Sequence, residues 1–324
     1  MAGVGMAAAE VTFSGLGRFG IDFNEANTDR ETNLTSRLRL QVDMSTESDV
    51  GLSLGARFRA ETNHIDGKAN SNGFNGGRVH ASMGPLTLQA GNVGGAVDDM
   101  PRLYLPTSSI GTGVDGMGYN SVIASDVDGY SSAGAGSNNG LNLIYDMGPF
   151  GLQASYSTKD TEKESCTNDF QPPSVERPLN PNYCDVDELR IVNIERTDRT
   201  ALRVSYTIND WTVAVAGQNS DTDTEDQVIF TVHGDAKFAK VGVSVADFSE
   251  DVAGKESASA RVYGNVDVSM DTALTVWAAD NRGTSAFGAD VDHDLGGGAT
   301  FVAGIVDTEE DDTLQAQAGV KFNF

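Results

Sequence analysis

Apolar and polar residues alternate along most of this chain. Near its end Leu314, Ala316, Ala318, Val320, Phe322 and Phe324 are apolar, with Gln315, Gln317, Lys321 and Asn323 between them. A period of two is a strand with one apolar face and one wet face. The same period runs through Val11, Phe13, Phe19, Ile21 and Phe23, and again through Leu34, Leu38, Leu40, Val42 and Met44. Leu52, Leu54, Ala56, Phe58 and Ala60 follow, then a polar loop at 63–72. Val79, Ala81 and Met83 lead over the tight Gly84–Pro85 turn into Leu86, Leu88 and Ala90. After a long connection at 92–139, alternation resumes at Leu141 and Leu143, turns at Gly148–Pro149, and continues through Phe150, Leu152, Ala154 and Tyr156. A second long connection covers 159–198. Beyond it, short strands are predicted over 202–208, 211–218, 228–238, 241–248, 258–268, 273–279, 286–291 and 300–306.

Counted together these make about sixteen strands, and no segment of useful length has the helical period. Tight turns alternate with longer, often acidic connections, so turns gather on one rim and loops on the other. That asymmetry predicts an all-β fold: a single transmembrane antiparallel barrel over 10–324, of about sixteen strands. A soluble β-sandwich would keep its apolar faces inward, and a propeller would repeat a blade motif that is not found here. The final alternating strand is expected to close the barrel against the first, with Phe324 as the signal read by the barrel-assembly machinery.

Composition sharpens this picture without changing it. The chain has 324 residues and a formal net charge of -25. Mean hydropathy is -0.28. No apolar run is long enough for a transmembrane helix, a test that strand-built membrane proteins escape. The acidity argues against a nucleic-acid partner, whose phosphates it would repel. Residues 1–9, with the small run Ala7-Ala8-Ala9, read as a signal-peptide remnant, and export is expected. Cys166 and Cys184 share the Pro-rich 159–198 connection, and in an exported chain they are expected to form a disulfide rather than stay free thiols. His64, His80, His233 and His293 lack metal-ligand spacing, so no metal site and no cofactor are expected.

The polar faces carry the chemistry. They present Arg18 and Asp22 on the first strand, and Asn33, Thr35, Arg37, Arg39 and Gln41 on the second. Ser53, Arg57, Arg59 and Glu61 follow on the third, and Arg78, His80 and Ser82 on the fourth. Neighbouring strands lie about 5 Å apart, so six arginines gather in one quadrant. Lipid would penalise such a cluster by several kcal/mol, roughly 2–4 per charge at mid-depth, so the face must be wet and line an aqueous lumen. The 92–139 connection carries Asp98, Asp99, Asp115, Asp126 and Asp128 against Arg102 alone. Folded inward, it would set carboxylates opposite the arginines and filter solutes by charge; lying outside, it would be a surface loop.

The opening Glu10-Val11-Thr12-Phe13-Ser14-Gly15 and the closing Asp294-Leu295-Gly296-Gly297-Gly298-Ala299, Gly304-Ile305 and Gly319-Val320-Lys321-Phe322-Asn323-Phe324 carry a family likeness. Through them the chain resembles the general diffusion porins of photosynthetic and related α-proteobacteria, the Rhodobacter-type family. The resemblance implies an outer-membrane homotrimer of sixteen-stranded barrels, each with its third loop folded inside as an eyelet. By position 92–139 would be that loop, and Arg18, Arg37, Arg39, Arg57 and Arg59 the basic side. The long 159–198 loop and the Gly/Ser-rich stretch at 131–139 depart from the family pattern.

Three enzyme-like motifs carry no matching context. Gly15-Leu16-Gly17-Arg18-Phe19-Gly20 fits G-x-G-x-x-G but opens no helix, and its glycines suit a subunit contact or a bend. Gly51-Leu52-Ser53-Leu54-Gly55 lacks the strand–turn–helix of a nucleophile elbow. Asp221-Thr222-Asp223-Thr224-Glu225-Asp226 lacks the glycine of a calcium loop. Acidic loops there and at 307–312 could still hold divalent cations such as calcium loosely, against lipopolysaccharide. The expected function is a passive outer-membrane pore for small hydrophilic solutes, with no catalysis. The alternative is a channel selective for a sugar or small anion. Total charge favours cations and the arginine quadrant favours anions; the balance is read towards cations.

Overall fold

A computed structural model describes residues 9–27, 30–65, 68–106, 139–166, 190–221, 226–249, 256–309 and 313–324. Strands β1 (Glu10–Asn24), β2 (Thr32–Glu47), β3 (Ser53–Ile65), β4 (Lys68–Met83) and β5 (Leu86–Gly91) pair in chain order. One helical turn, α1 (Gly95–Asp98), lies in the connection to β6 (Asn139–Met147). Then come β7 (Phe150–Cys166), β8 (Arg190–Ile208), β9 (Trp211–Ser220), β10 (Gln227–Asp235) and β11 (Lys240–Phe248). The last five are β12 (Ala258–Asp267), β13 (Thr272–Asn281), β14 (Ser285–Gly296), β15 (Ala299–Thr308) and β16 (Thr313–Asn323). All pairs are antiparallel, and β16 returns to β1 to close the barrel.

The alternation decides which side faces what. Outward positions such as Phe13, Leu34, Leu202, Val262 and Phe287 are large, apolar and exposed. Inward positions such as Asn142, Gln153, Thr231, Ser244 and Thr275 are polar and almost completely buried. This inversion of a soluble protein suits an apolar solvent outside and water inside. Connections at 48–52, 84–85, 148–149, 209–210, 236–239, 268–271 and 297–298 form one rim, beside Glu10 and Phe324. The opposite ends of the strands form the other rim.

Two expected loops are shorter in the structure. β3 and β4 continue into the 63–72 stretch, with Asn63 opposite Asn70. β7 and β8 pair as far as Cys166 opposite Arg190, so the second long connection spans only 167–189. Above the apolar belt both faces of a strand are wetted, so the alternation fades while the backbone ladder continues. The expected Cys166–Cys184 disulfide lies outside what is described, since Cys184 and the side chain of Cys166 are not included.

The seam between first and last strands is tight. Gly20 lies opposite Gly319, and a Cβ on Gly20 would come within 2.4 Å of the Ala318 carbonyl oxygen. Beyond them the rings of Phe322 and Phe324 occupy the space a side chain would need at Gly17 and Gly15. The G-x-G stretch of β1 is therefore a platform for aromatic rings from β16, where the sequence suggested a subunit contact or bend.

Candidate functional site

The arginine wall is built from register. Arg18 on β1 stands opposite Lys321 on one side and Arg37 on the other. Across β2 and β3, Arg39 faces Glu61, Gln41 faces Arg59, and Asp43 faces Arg57. Arg57 in turn faces Arg78 on β4. All six predicted arginines therefore share the inward face of four consecutive strands. The β3–β4 register shifts between Arg57 and Glu61, a bulge that bends this part of the wall.

Within the wall the charges are organised. Glu61 accepts hydrogen bonds from Arg37 at 2.7 Å and from Arg39 Nε at 2.6 Å. Arg59 Nε donates to Gln41 Oε1 at 2.8 Å, and Gln41 Nε2 donates to Asp43 at 2.7 Å. Glu61 thus holds two neighbouring guanidiniums side by side against their mutual repulsion. Charge-assisted bonds of this kind are short and fix geometry as well as charge. Like the arginines, Glu61 sits on a polar face that the alternation exposes; its role as their shared counter-charge comes only from the β2–β3 register.

The 92–106 segment lies along a different arc of the inner wall. At Gly91, φ is +105°, and a Cβ there would sit 2.3 Å from the Gly77 carbonyl oxygen. Only glycine allows this turn, which directs the chain off β5 and into the lumen. Ala96 N–H then donates to Ser155 Oγ on β7 at 2.9 Å, and Gln153 Nε2 donates to the Gly95 carbonyl at 2.8 Å. Arg203 on β8 donates to the Asp99 carbonyl, and Thr231 on β10 to the Pro101 carbonyl. Arg261 on β12 donates to the carbonyls of Arg102 and Leu103.

Apolar packing follows the same path. Ala96, Val97, Met100 and Leu103 pack with Ala201, Ala214, Ala216, Ile229, Ala246 and Phe248. Leu105 packs with Tyr263, Trp277, Ala279, Ala286 and Val306. The small inward residues of β8, β9 and β11 make room for the segment. Each large apolar side chain fully buried this way contributes roughly 1.5–3 kcal/mol.

The two described acidic residues of this connection, Asp98 and Asp99, accept hydrogen bonds beside the segment itself. Asp98 accepts a hydrogen bond from the Tyr104 hydroxyl, and Asp99 accepts one from Gln153 Nε2. The Asp99 carboxylate is thus engaged by β7 and the Asp98 carboxylate by its own segment. Asp115, Asp126 and Asp128 lie outside the described residues. Arg203 and Arg261, which the sequence pattern alone did not single out, stand at inward positions of β8 and β12, next to the inward Ala201 and Ser259. The parity rule applied to β8 and β12 would have found them.

The family model described as Gram-negative porin matches residues 1–313. A protein named Porin from Fuscovulum blasticum is 25% identical over 323 residues, covering 97% of this chain and 100% of the relative. Among solved structures, a mutant of Rh. blastica porin aligns with a TM-score of 0.72 at 20% identity, over 97% of this chain and 100% of its own. A triple mutant of Rhodopseudomonas blastica porin aligns with a TM-score of 0.70 at 19% identity, over the same shares.

Proposed function

The chain belongs to the Gram-negative porin family and forms a diffusion pore, and we propose that this pore filters small hydrophilic solutes and ions by size and by a charge field at a constriction. One observation carries the proposal. Residues 95–105 line the wall from β7 to β15, on a different arc of the barrel from the arginines of β1–β4. Solutes would pass between a charged wall and an inserted segment, each on its own arc of the barrel. No step of this process makes or breaks a bond.

A saturable sugar site needs aromatic rings open to the lumen. The inward rings of Tyr263 and Trp277 are 4% exposed, packed with Leu105. Uptake is therefore expected to rise linearly with concentration and fall smoothly with solute size. Swelling of liposomes loaded with the protein, in a series of sugars of increasing size, checks this. Saturation by one sugar would replace the diffusion reading with a selective channel.

An outer-membrane location goes with this function and is supported by the apolar outer belt. Outer-membrane lipid, lipopolysaccharide and the barrel-assembly machinery are the proposed partners, with Phe324 as the assembly signal. We also infer a homotrimer whose contact face includes β2–β5. Near the short-turn rim, outward aromatic residues stand on β15, β16 and β1 (Phe301, Phe322, Phe13) and on β8 and β9 (Tyr206, Trp211). Across β2–β5 the corresponding exposed residues are the aliphatic Leu54, Met83 and Leu86, so this face carries an apolar but not an aromatic rim. A notch of about 440 Å³ opens on this face beside Ala56, Gly77, Val79 and Ala90. A Cβ on Gly77 would meet nothing within 4 Å, so Gly77→Trp leaves the barrel intact and fills the notch. The expected outcome is a shift from trimer to monomer on native gels; an unchanged trimer would move the interface elsewhere.

A further inference from the structure

We propose that Arg203 and Arg261 are positioning residues that clamp the backbone of residues 99–103 to the barrel wall and so fix the width of the pore, rather than charges that select ions. The proposal rests on the pore reading above. Arg261 is 2% exposed and Arg203 is 8% exposed, deeper than a charge that meets passing ions needs to be. Arg261 Nη2 donates to the Leu103 carbonyl at 2.6 Å, the Arg102 carbonyl at 3.1 Å and Ser244 Oγ at 3.2 Å. Its guanidinium also lies 5.9 Å from the ring centroid of Tyr263. No carboxylate pairs with it among the described residues.

A buried cation without a counter-ion is strongly unfavourable unless its donors are satisfied. Here main-chain carbonyls of the inserted segment satisfy them in part. Those carbonyls point to the wall and need donors in turn. Cation and segment therefore depend on each other: lifting the segment would strip Arg261 of both carbonyl acceptors, leaving only Ser244 Oγ, and bare Leu103 and Leu105. Arg203 repeats the arrangement four strands away, at the carbonyl of Asp99. Between them Thr231 Oγ1 donates to the Pro101 carbonyl at 3.1 Å. Three strands thus grip four of five consecutive residues through the backbone, which makes the hold independent of side-chain identity in the segment.

One nitrogen, Arg261 Nη2, reaches two successive carbonyls, and a lysine keeps the charge on a side chain one bond shorter, whose compact ammonium ends short of them. Arg261→Lys and Arg261→Met therefore separate clamp from field, compared in single-channel recordings of the full protein. Losing charge-assisted bonds of this class should multiply the released population by roughly tenfold or more. Both variants are then expected to show a matching rise in brief conductance fluctuations, with the reversal potential of Arg261→Lys unchanged. Thr231→Val, nearly isosteric and without a charge, is expected to give a smaller rise. Fluctuations in Arg261→Lys equal to those of the parent would overturn the clamp, whatever Arg261→Met does. Should Arg261→Met fail to fold, Arg261→Lys and Thr231→Val decide the matter. A parent protein that does not conduct would count against the pore reading itself, and only conducting parents with silent variants count against the clamp.

Discussion

Gly20→Val or Gly319→Val is expected to prevent the barrel from closing. These residues face each other across the β1–β16 seam, the pairing on which closure depends. A Cβ on Gly20 would approach the Ala318 carbonyl oxygen to 2.4 Å and the Gly319 Cα to 3.0 Å. A Cβ on Gly319 would approach the Phe19 carbonyl oxygen to 2.5 Å. These neighbours are backbone, so no rotamer change relieves the overlap and the strands must part. Overpacking of this kind costs about 3 kcal/mol or more. An open seam adds unpaired backbone groups facing lipid, each costing several kcal/mol, roughly 2–7. Gly217→Ala is the control, because a Cβ there comes no closer than 3.8 Å to its neighbours. Heat-modifiable gel mobility reads the outcome: the seam variants should lose the compact band, and the control should keep it. A compact band from Gly20→Val would show that the seam admits a side chain and is not closed by backbone contact.

The second large effect is electrical and has two signs. Replacing Arg37, Arg39, Arg57 and Arg59 by glutamine should shift the reversal potential towards cation preference. Glu61→Gln should shift it the other way, because one carboxylate counters both Arg37 and Arg39. The side chains of these two arginines are 14% and 17% exposed, against 3% for Glu61, so the cations are nearer the water than their counter-charge. A unit charge about 8 Å from a passing ion is worth roughly 0.5–2 kcal/mol between the limits of water and protein surface. Each charge change should therefore alter the permeability ratio by about twofold or more. Near 1 M salt the Debye length falls to about 3 Å and the shifts should fade. Reversal potentials under a salt gradient, taken at low and high ionic strength, check both signs. Shifts of the same sign for both variants would mean that the wall does not set the field.

What the sequence could disclose follows from where its signals are local. Alternation from Leu314 to Phe324 is a property of consecutive residues, so the strand and its apolar face were legible. Arg37 with Arg39, and Arg57 with Arg59, lie two apart and so share a face by parity alone. The upper parts of β7 and β8 were hidden because wetted strands lose their alternation. Asp98 and Asp99 were expected to oppose the arginines. Their hydrogen bonds from Tyr104 and Gln153 follow from the inward turn at Gly91 and the packing of the segment on β7–β11, which consecutive residues do not reveal. The ring platform of Gly15 and Gly17 depends on β16, three hundred residues away in round terms. A G-x-G motif read alone cannot carry that information.

The most direct test of the pore is single-channel recording of the purified protein in planar bilayers. Large, ohmic current steps grouped in threes are expected, with a reversal potential that weakens as salt rises. Absence of conductance from protein with the compact, heat-modifiable mobility would contradict a water-filled barrel. Small steps blocked by one sugar or one anion would contradict passive diffusion.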